Sequence, residues 1–168
     1  MTAIKKSILF IFLLLAATAT TLYLAAIPVS SLQTRQRAPV PPSRFEHAYH
    51  ANPPRGPLPT TLDPQLFRDS KSAFLAYSLA ARIRQVLYQE PCFCPCDEDQ
   101  GHQSLLDCYT SDHGTVCPIC KKEVVFIFEE YKEGKSAEAI REEIKKREWV
   151  KVDIEKYVAA HYDEYAQR

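Results

Sequence analysis

Apolar positions divide the chain into one unbroken apolar run, a polar and proline-rich interval, and a series of amphipathic segments. No residue from Ser7 through Gln33 is charged, and residues 8–29 are long enough to cross a bilayer, which takes about 20 apolar residues. Farther on, Asp63-Pro64 reads as an N-cap followed by proline at the first helical position. A helix is expected from there to about Gln89, with Ala73, Ala76, Tyr77, Ala80, Ile83 and Leu87 on one stripe. Pro91 pushes Glu90 out of helical geometry and closes it. Residues 104–109 form a short helical piece that gathers Leu105, Cys108 and Tyr109. A second long helix opens at Pro118 and runs to about Lys132 before Gly134, turning Cys120, Val124, Ile127, Phe128 and Tyr131 inward. Ser136 caps a helix over about 137–148, charged all round except at Ile140 and Ile144. Asp153 caps a last one that packs through Ile154, Tyr157, Val158, His161, Tyr162 and Tyr165.

The fold class that follows is mostly α, in three parts. Residues 1–30 are a signal-anchor or signal peptide, residues 31–62 a Pro-rich linker, and residues 63–168 a small helical domain with an irregular Cys/His-rich loop at 91–120. Lys5 and Lys6 supply a basic start that places the N-terminus in the cytoplasm, although Arg35, Arg37 and Arg44 weaken that bias. A cleaved signal has a shorter apolar core, about 7–15 residues, before small residues, and residues 8–15 followed by Ala17-Thr18-Ala19 also fit that pattern. The run nevertheless continues to Ile27, so its length favours an uncleaved anchor. The domain is expected to be extracytoplasmic on a bacterial cell membrane, held by one pass, or exported and soluble if cleavage occurs. In the linker, Pro39, Pro41, Pro42, Pro53, Pro54, Pro57 and Pro59 favour extended geometry and a semi-rigid spacer. His47 and His50 form an H-x-x-H pair there, which would bind metal only if the segment turned helical and otherwise lies on the surface.

Charge narrows the partners. Lys+Arg and Asp+Glu are balanced at 21 each among 168 residues, so there is no basic patch to argue for nucleic acid. The expected partners are the membrane, through the N-terminal helix, and a protein that delivers metal or exchanges electrons.

The chemistry is concentrated in one window. All six cysteines and two of the five histidines lie between Pro91 and Cys120: Cys92, Cys94, Cys96, His102, Cys108, His113, Cys117 and Cys120. Read as extended chain, residues 92–96 point three sulfurs to one side and Phe93 and Pro95 to the other. Asp97-Glu98-Asp99 reads as a solvated turn, and Asp107 as an acceptor for a ligating histidine or, more simply, an exposed helix residue. A thiol in the first turn after Pro118 feels the positive end of the helix dipole, which favours thiolate.

Three uses of these thiols compete. Full disulfide pairing suits an exported domain, but C-x-C bridges are strained and the histidines stay unexplained. Thiol–disulfide exchange would use Cys117 as attacking thiolate and Cys120 as its partner. Metal binding uses all eight side chains, the complement of two tetrahedral sites. Zinc suits the mixed imidazole and thiolate set, and copper(I) the thiolate-rich arm. On this reading Cys92, Cys94 and Cys96 form a labile site and Cys108, Cys117, Cys120 and a histidine a tighter one. No general base stands out beside a catalytic zinc, so binding, storage or transfer of metal is expected in preference to hydrolysis.

The runs Pro91-Cys92-Phe93-Cys94-Pro95-Cys96, Gly101-His102-x-Ser104-Leu105-Leu106-Asp107-Cys108, His113-Gly114 and Cys117-x-x-Cys120-x-x-Glu123 resemble the bacterial family named after its PCYCGC motif. The similarity spans about residues 67–144, with Ala76-Tyr77 upstream and Gly134-Lys135-Ser136 downstream. Phe93 stands where the family has tyrosine and Pro95 where it has glycine, which argues against an essential phenol at position 93. The resemblance implies export or membrane attachment, with a membrane helix in place of a lipid because the chain carries no lipobox cysteine. It implies no particular activity.

Overall fold

The computed structural model describes residues 47–167, and the expected anchor and the first part of the linker lie outside them. The described residues are helices and connecting turns, with no strand among them. None of these helices is long and apolar enough to cross a membrane.

The helix expected over 63–89 is three pieces. A 3-10 turn, Pro64–Phe67, starts where Asp63 accepts the N–H of Gln65. Ser70 then caps α1, Lys71–Arg82, by accepting from Ala73 N–H. The chain breaks again at Ile83, whose N–H reaches the Ala80 carbonyl in a tightened last turn, and α2 is Arg84–Leu87. Period alone hides these breaks, because the apolar stripe continues through them. Ser70 offers the backbone a side-chain acceptor, and this local competition restarts the helix.

Two short elements follow, α3 at Cys96–Asp99 and α4 at Asp107–Thr110, then α5 at His113–Val116. The second long helix, α6, is Pro118–Lys132, with proline at its start. It ends in a turn in which Gly134 takes φ +87° while its N–H and that of Lys135 satisfy the last carbonyls. Ser136 caps α7, Ala137–Lys145, which stops three residues short of expectation. Arg147, at φ 62°, reverses the chain there and leads into a 3-10 turn, Glu148–Lys151. Asp153 caps α8, Ile154–Ala166.

Helix α1 is the centre of the packing. It lies against the 3-10 turn at its start, α5, α6 and α8, and α6 also carries α7 and the Trp149 turn. Phe74, Tyr77 and Leu79 from α1 meet Leu105, Leu106 and Tyr109 from the loop and Val124 and Ile127 from α6 in one core. All six cysteines belong to that core. Tyr131, expected to face inward, is instead exposed. Of the expected stripe on α8, Val158 and Tyr165 are buried, while Ile154, Tyr157 and Tyr162 pack at the edge.

Residues 47–62 are not a free spacer. Leu58 and Leu62 pack on the core, and the N–H of Leu62 bonds the Tyr109 carbonyl at 2.9 Å. The two histidines of this segment part company. His47 Nδ1 meets Asp97 Oδ2 at 3.2 Å, whereas the His50 ring stacks on Tyr88 with centroids 3.8 Å apart. They do not share a metal-binding geometry.

Candidate metal centre

The arm 92–96 is held by its ends and its middle. Pro91 comes after the turn at residues 88–90 that closes α2, and the N–H of Phe93 donates to Glu123 Oε1 at 2.7 Å. The arm is not extended through its length: Pro95 sits at φ −74°, ψ 36°, and Cys96 opens α3 with its N–H on the Cys94 carbonyl at 2.7 Å. Period-two alternation therefore fails, and the three sulfurs do not share one face. Cys92 and Cys96 turn to the same place, with sulfurs 3.5 Å apart, and Cys94 turns to another.

The loop that follows brings the remaining donors in. Gly101, at φ +69°, makes the turn from which the His102 N–H bonds the Cys96 carbonyl at 3.2 Å. Cys108 lies on α4, fully buried between Leu105 and Tyr109 in the sequence and in the core. Tyr109 reaches over to α6, donating its hydroxyl to the Cys120 carbonyl at 2.7 Å. Tyr77 donates to the Ser111 carbonyl at 2.5 Å and fixes the approach to α5. Cys117 is the N-cap of α6, its sulfur accepting the Cys120 N–H at 3.4 Å, and Cys120 lies in the first turn. Both thiols thus stand at the positive end of a fifteen-residue helix.

Two groups of donor atoms result, each with all its members within 4.8 Å of one another. The first is Cys92, Cys96, Cys108 and Cys120, all buried; the second is Cys94, His113, Cys117 and Cys120. Sulfur separations are 3.5 Å for Cys92 to Cys120, Cys92 to Cys96 and Cys96 to Cys108, and 3.8 Å for Cys94 to Cys120. Cys94 Sγ lies 3.5 Å from His113 Nε2. A tetrahedral ion with metal–sulfur bonds near 2.3 Å needs sulfur–sulfur edges of about 3.8 Å. The residues are close to the shape such an ion demands.

This partition differs from the one the sequence suggested. The arm does not form a site by itself and the Cys108, Cys117 and Cys120 thiols do not form another; each group takes thiols from both ends of the window. His102 stands outside both, with Nδ1 3.3 Å from Cys108 Sγ. Asp107 serves no histidine: its Oδ2 accepts the Gln103 N–H at 2.7 Å. Asp97, read as part of a solvated turn, lies in α3 and ties down His47 and the Ala48 N–H.

Electrostatics divide the thiols unevenly. Hydrogen bonds from Cys120 and then Cys92 pull the Cys94 thiol down to about 3. Cys117 falls to about 7, chiefly through its contact with Cys120. Cys96 is also driven far down by Cys108 and Cys120, whereas Cys92 and Cys120 are pushed up, each first through its contact with Cys108. Burial is the largest single influence on His113 and works against its charge, but the Cys94 contact together with the charges of Cys96, Cys94 and Cys117 raises the imidazole. The contacts thus favour the thiolate at Cys94, Cys96 and Cys117 and disfavour it at Cys92 and Cys120, and a soft cation that binds takes the place of thiol protons.

Glu123 is not among the candidate residues named above, although it appears in the motif run. It is wholly buried one turn beyond Cys120, and burial raises its carboxyl well above the usual range against the bond from Phe93 N–H. A buried acid beside an apolar stripe was the available signal. A protein-family model described as "Protein of unknown function with PCYCGC motif" matches residues 55–151, a wider span than the motif runs alone suggest. No curated protein and no solved structure matches the chain.

Proposed function

We propose that this chain, which belongs to the family of proteins of unknown function with a PCYCGC motif, binds a soft metal ion through its clustered thiolates and serves in metal binding, storage or transfer. The observation that carries this is the convergence of six free thiols and His113 into two groups whose donor atoms all lie within 4.8 Å of one another, with contacts of 3.5–3.8 Å among Cys92, Cys94, Cys96, Cys108, Cys120 and His113, close to tetrahedral edges and far from the S–S bond of about 2.05 Å. Zinc or copper(I) is the ion: the Cys94, Cys117 and His113 side suits zinc, and the four-thiol side suits either. The apolar run at residues 8–29 supports a reading in which the domain sits outside the cytoplasm on a membrane anchor.

Disulfide pairing finds less support. Cys120 approaches Cys92 and Cys94, and Cys96 approaches Cys92 and Cys108, so no set of three exclusive pairs is marked out. Thiol–disulfide exchange has one observation in its favour, the lowered Cys117 thiol at the rim of the site. The attacking sulfur would have to be that of Cys117, which is only 9% exposed and leaves an incoming disulfide little access.

Metal analysis with a thiol count on anaerobically purified full-length protein tests the reading. Bound zinc or copper, with six thiols reactive only after chelation and unfolding, is the expected result. Three disulfides with no metal would overturn it.

A further inference from the structure

The two donor groups are not separate, because Cys120 stands in both. Two independent tetrahedral ions need eight donors. The six thiols and His113 make seven, and His102, the only other histidine in the window, lies outside both groups against Cys108. Seven donors complete two tetrahedra when one donor is common to them. We propose that the domain holds a dinuclear centre in which the Cys120 thiolate bridges two soft metal ions. Cys92, Cys96 and Cys108 complete the inner ion, and Cys94, Cys117 and His113 the outer one. This rests on the metal-binding reading above.

Position and local structure both suit Cys120 to the bridge. It lies in the first turn of α6, fully buried, with sulfur contacts at 3.5 Å to Cys92 of the inner set and 3.8 Å to Cys94 of the outer set. Its carbonyl is fixed by the Tyr109 hydroxyl and its N–H by Cys117, so the residue is held from both ends of its backbone. The turn in the arm now has a purpose: Cys92 and Cys96 serve one ion while Cys94, between them, serves the other. The two ions also differ in access. The inner ligands are between 0 and 4% exposed, whereas Cys117 reaches 9% and His113 is only half-buried. The outer ion exchanges first and the inner ion last.

Cadmium, which takes the same soft donors, is the probe. Full-length protein, stripped of metal under reductant, is titrated with cadmium-113 ions. Two equivalents should bind, giving two NMR resonances, one for four sulfurs and one for three sulfurs and a nitrogen. Each should be split by scalar coupling to the other through the shared sulfur. Cys117→Ser and Cys94→Ser should each retain one equivalent and lose the splitting, with helical circular dichroism confirming that at least one variant is folded. One equivalent in the unaltered protein would overturn the dinuclear centre and leave the metal-binding reading standing. Two equivalents without mutual splitting would overturn the bridge at Cys120. No bound cadmium would overturn both.

Discussion

Gly114 is the position where the smallest change should tell most about the site. It lies in α5 between His113 and the approach to Cys117, and its φ is not positive, so any L-residue can adopt its backbone. Space is what it lacks. A Cβ there would lie 3.0 Å from Tyr109 Cε1, 3.1 Å from the Cys108 carbonyl oxygen and 3.1 Å from the Tyr77 hydroxyl. None of the three yields easily, since both tyrosines are fully buried and the third contact is backbone. Overpacking of this kind costs about 1–3 kcal/mol. Against it, Gly→Ala removes unfolded-state freedom worth about 0.4–1 kcal/mol. The steric cost wins, and Gly114→Ala should destabilise the domain by about 1–2 kcal/mol. Gly56, where an added Cβ would meet nothing within 4 Å, is the control and should show no loss. Urea unfolding followed by Trp149 fluorescence measures both, and chelator competition measures metal affinity in parallel. Because the clash displaces the backbone between Cys108 and His113, affinity of the outer donor set should fall more than that of the inner one. Equal stability of Gly114→Ala and Gly56→Ala, with unchanged metal affinity, would refute the reasoning.

Two further outcomes are expected. Glu90 is wholly buried, neither carboxyl oxygen has a hydrogen-bond partner, and burial pushes it up to about 9 against the charges of Arg141 and Lys145. The folded state then holds a proton that the unfolded state releases above about 4.5, so this residue's contribution worsens as pH rises and levels off above about 9. Glu90→Gln should gain stability relative to the unaltered protein by about 1.4 kcal/mol per pH unit between pH 5 and 8; a difference that stays constant across that range would show an ionised, paired carboxylate. A reporter active only outside the cytoplasm, fused after Arg168, should give activity in a membrane fraction that survives a salt wash; soluble reporter with a new N-terminus near Thr20 would show a cleaved signal instead.

What was legible in the sequence had a local cause. Pro118, Ser136 and Asp153 each fix a helix start by their own chemistry, and α6, α7 and α8 begin where those residues put them. The window of cysteines was visible because thiols occur nowhere else. The grouping within it was not. Whether Cys94 faces with Cys92 or away from it depends on the turn at Pro95 and on the hold that Glu123, thirty residues away, has on Phe93. Alternation along an extended strand was the wrong period for an arm that ends in a helical turn. The break at Ile83 was hidden for a related reason, since the core accepts the residue whether or not the helix is continuous through it. Residues 47–62 looked like a spacer because prolines report backbone stiffness and say nothing of what Leu58 and Leu62 touch.

The close approach of Cys92 to Cys120 bears on the order in which the molecule assembles. The two sulfurs are separated by 28 residues, and every other donor lies between them. The helices that frame the core, α1, α6 and α8, lie at or beyond the ends of that interval and pack on one another directly. An ion that ties the two ends closes a loop whose entropy, by the reasoning applied to covalent cross-links, is worth about 3–4 kcal/mol. That gain falls on the loop, where little regular structure exists, and hardly on the helical frame. Collapse of the frame can therefore come first and draw the thiols together, with the ion arriving late as a clasp. The metal-free chain then keeps its helices while the interval between α2 and α6 opens and closes, which amide hydrogen exchange would register as a low-stability unit within a stable one.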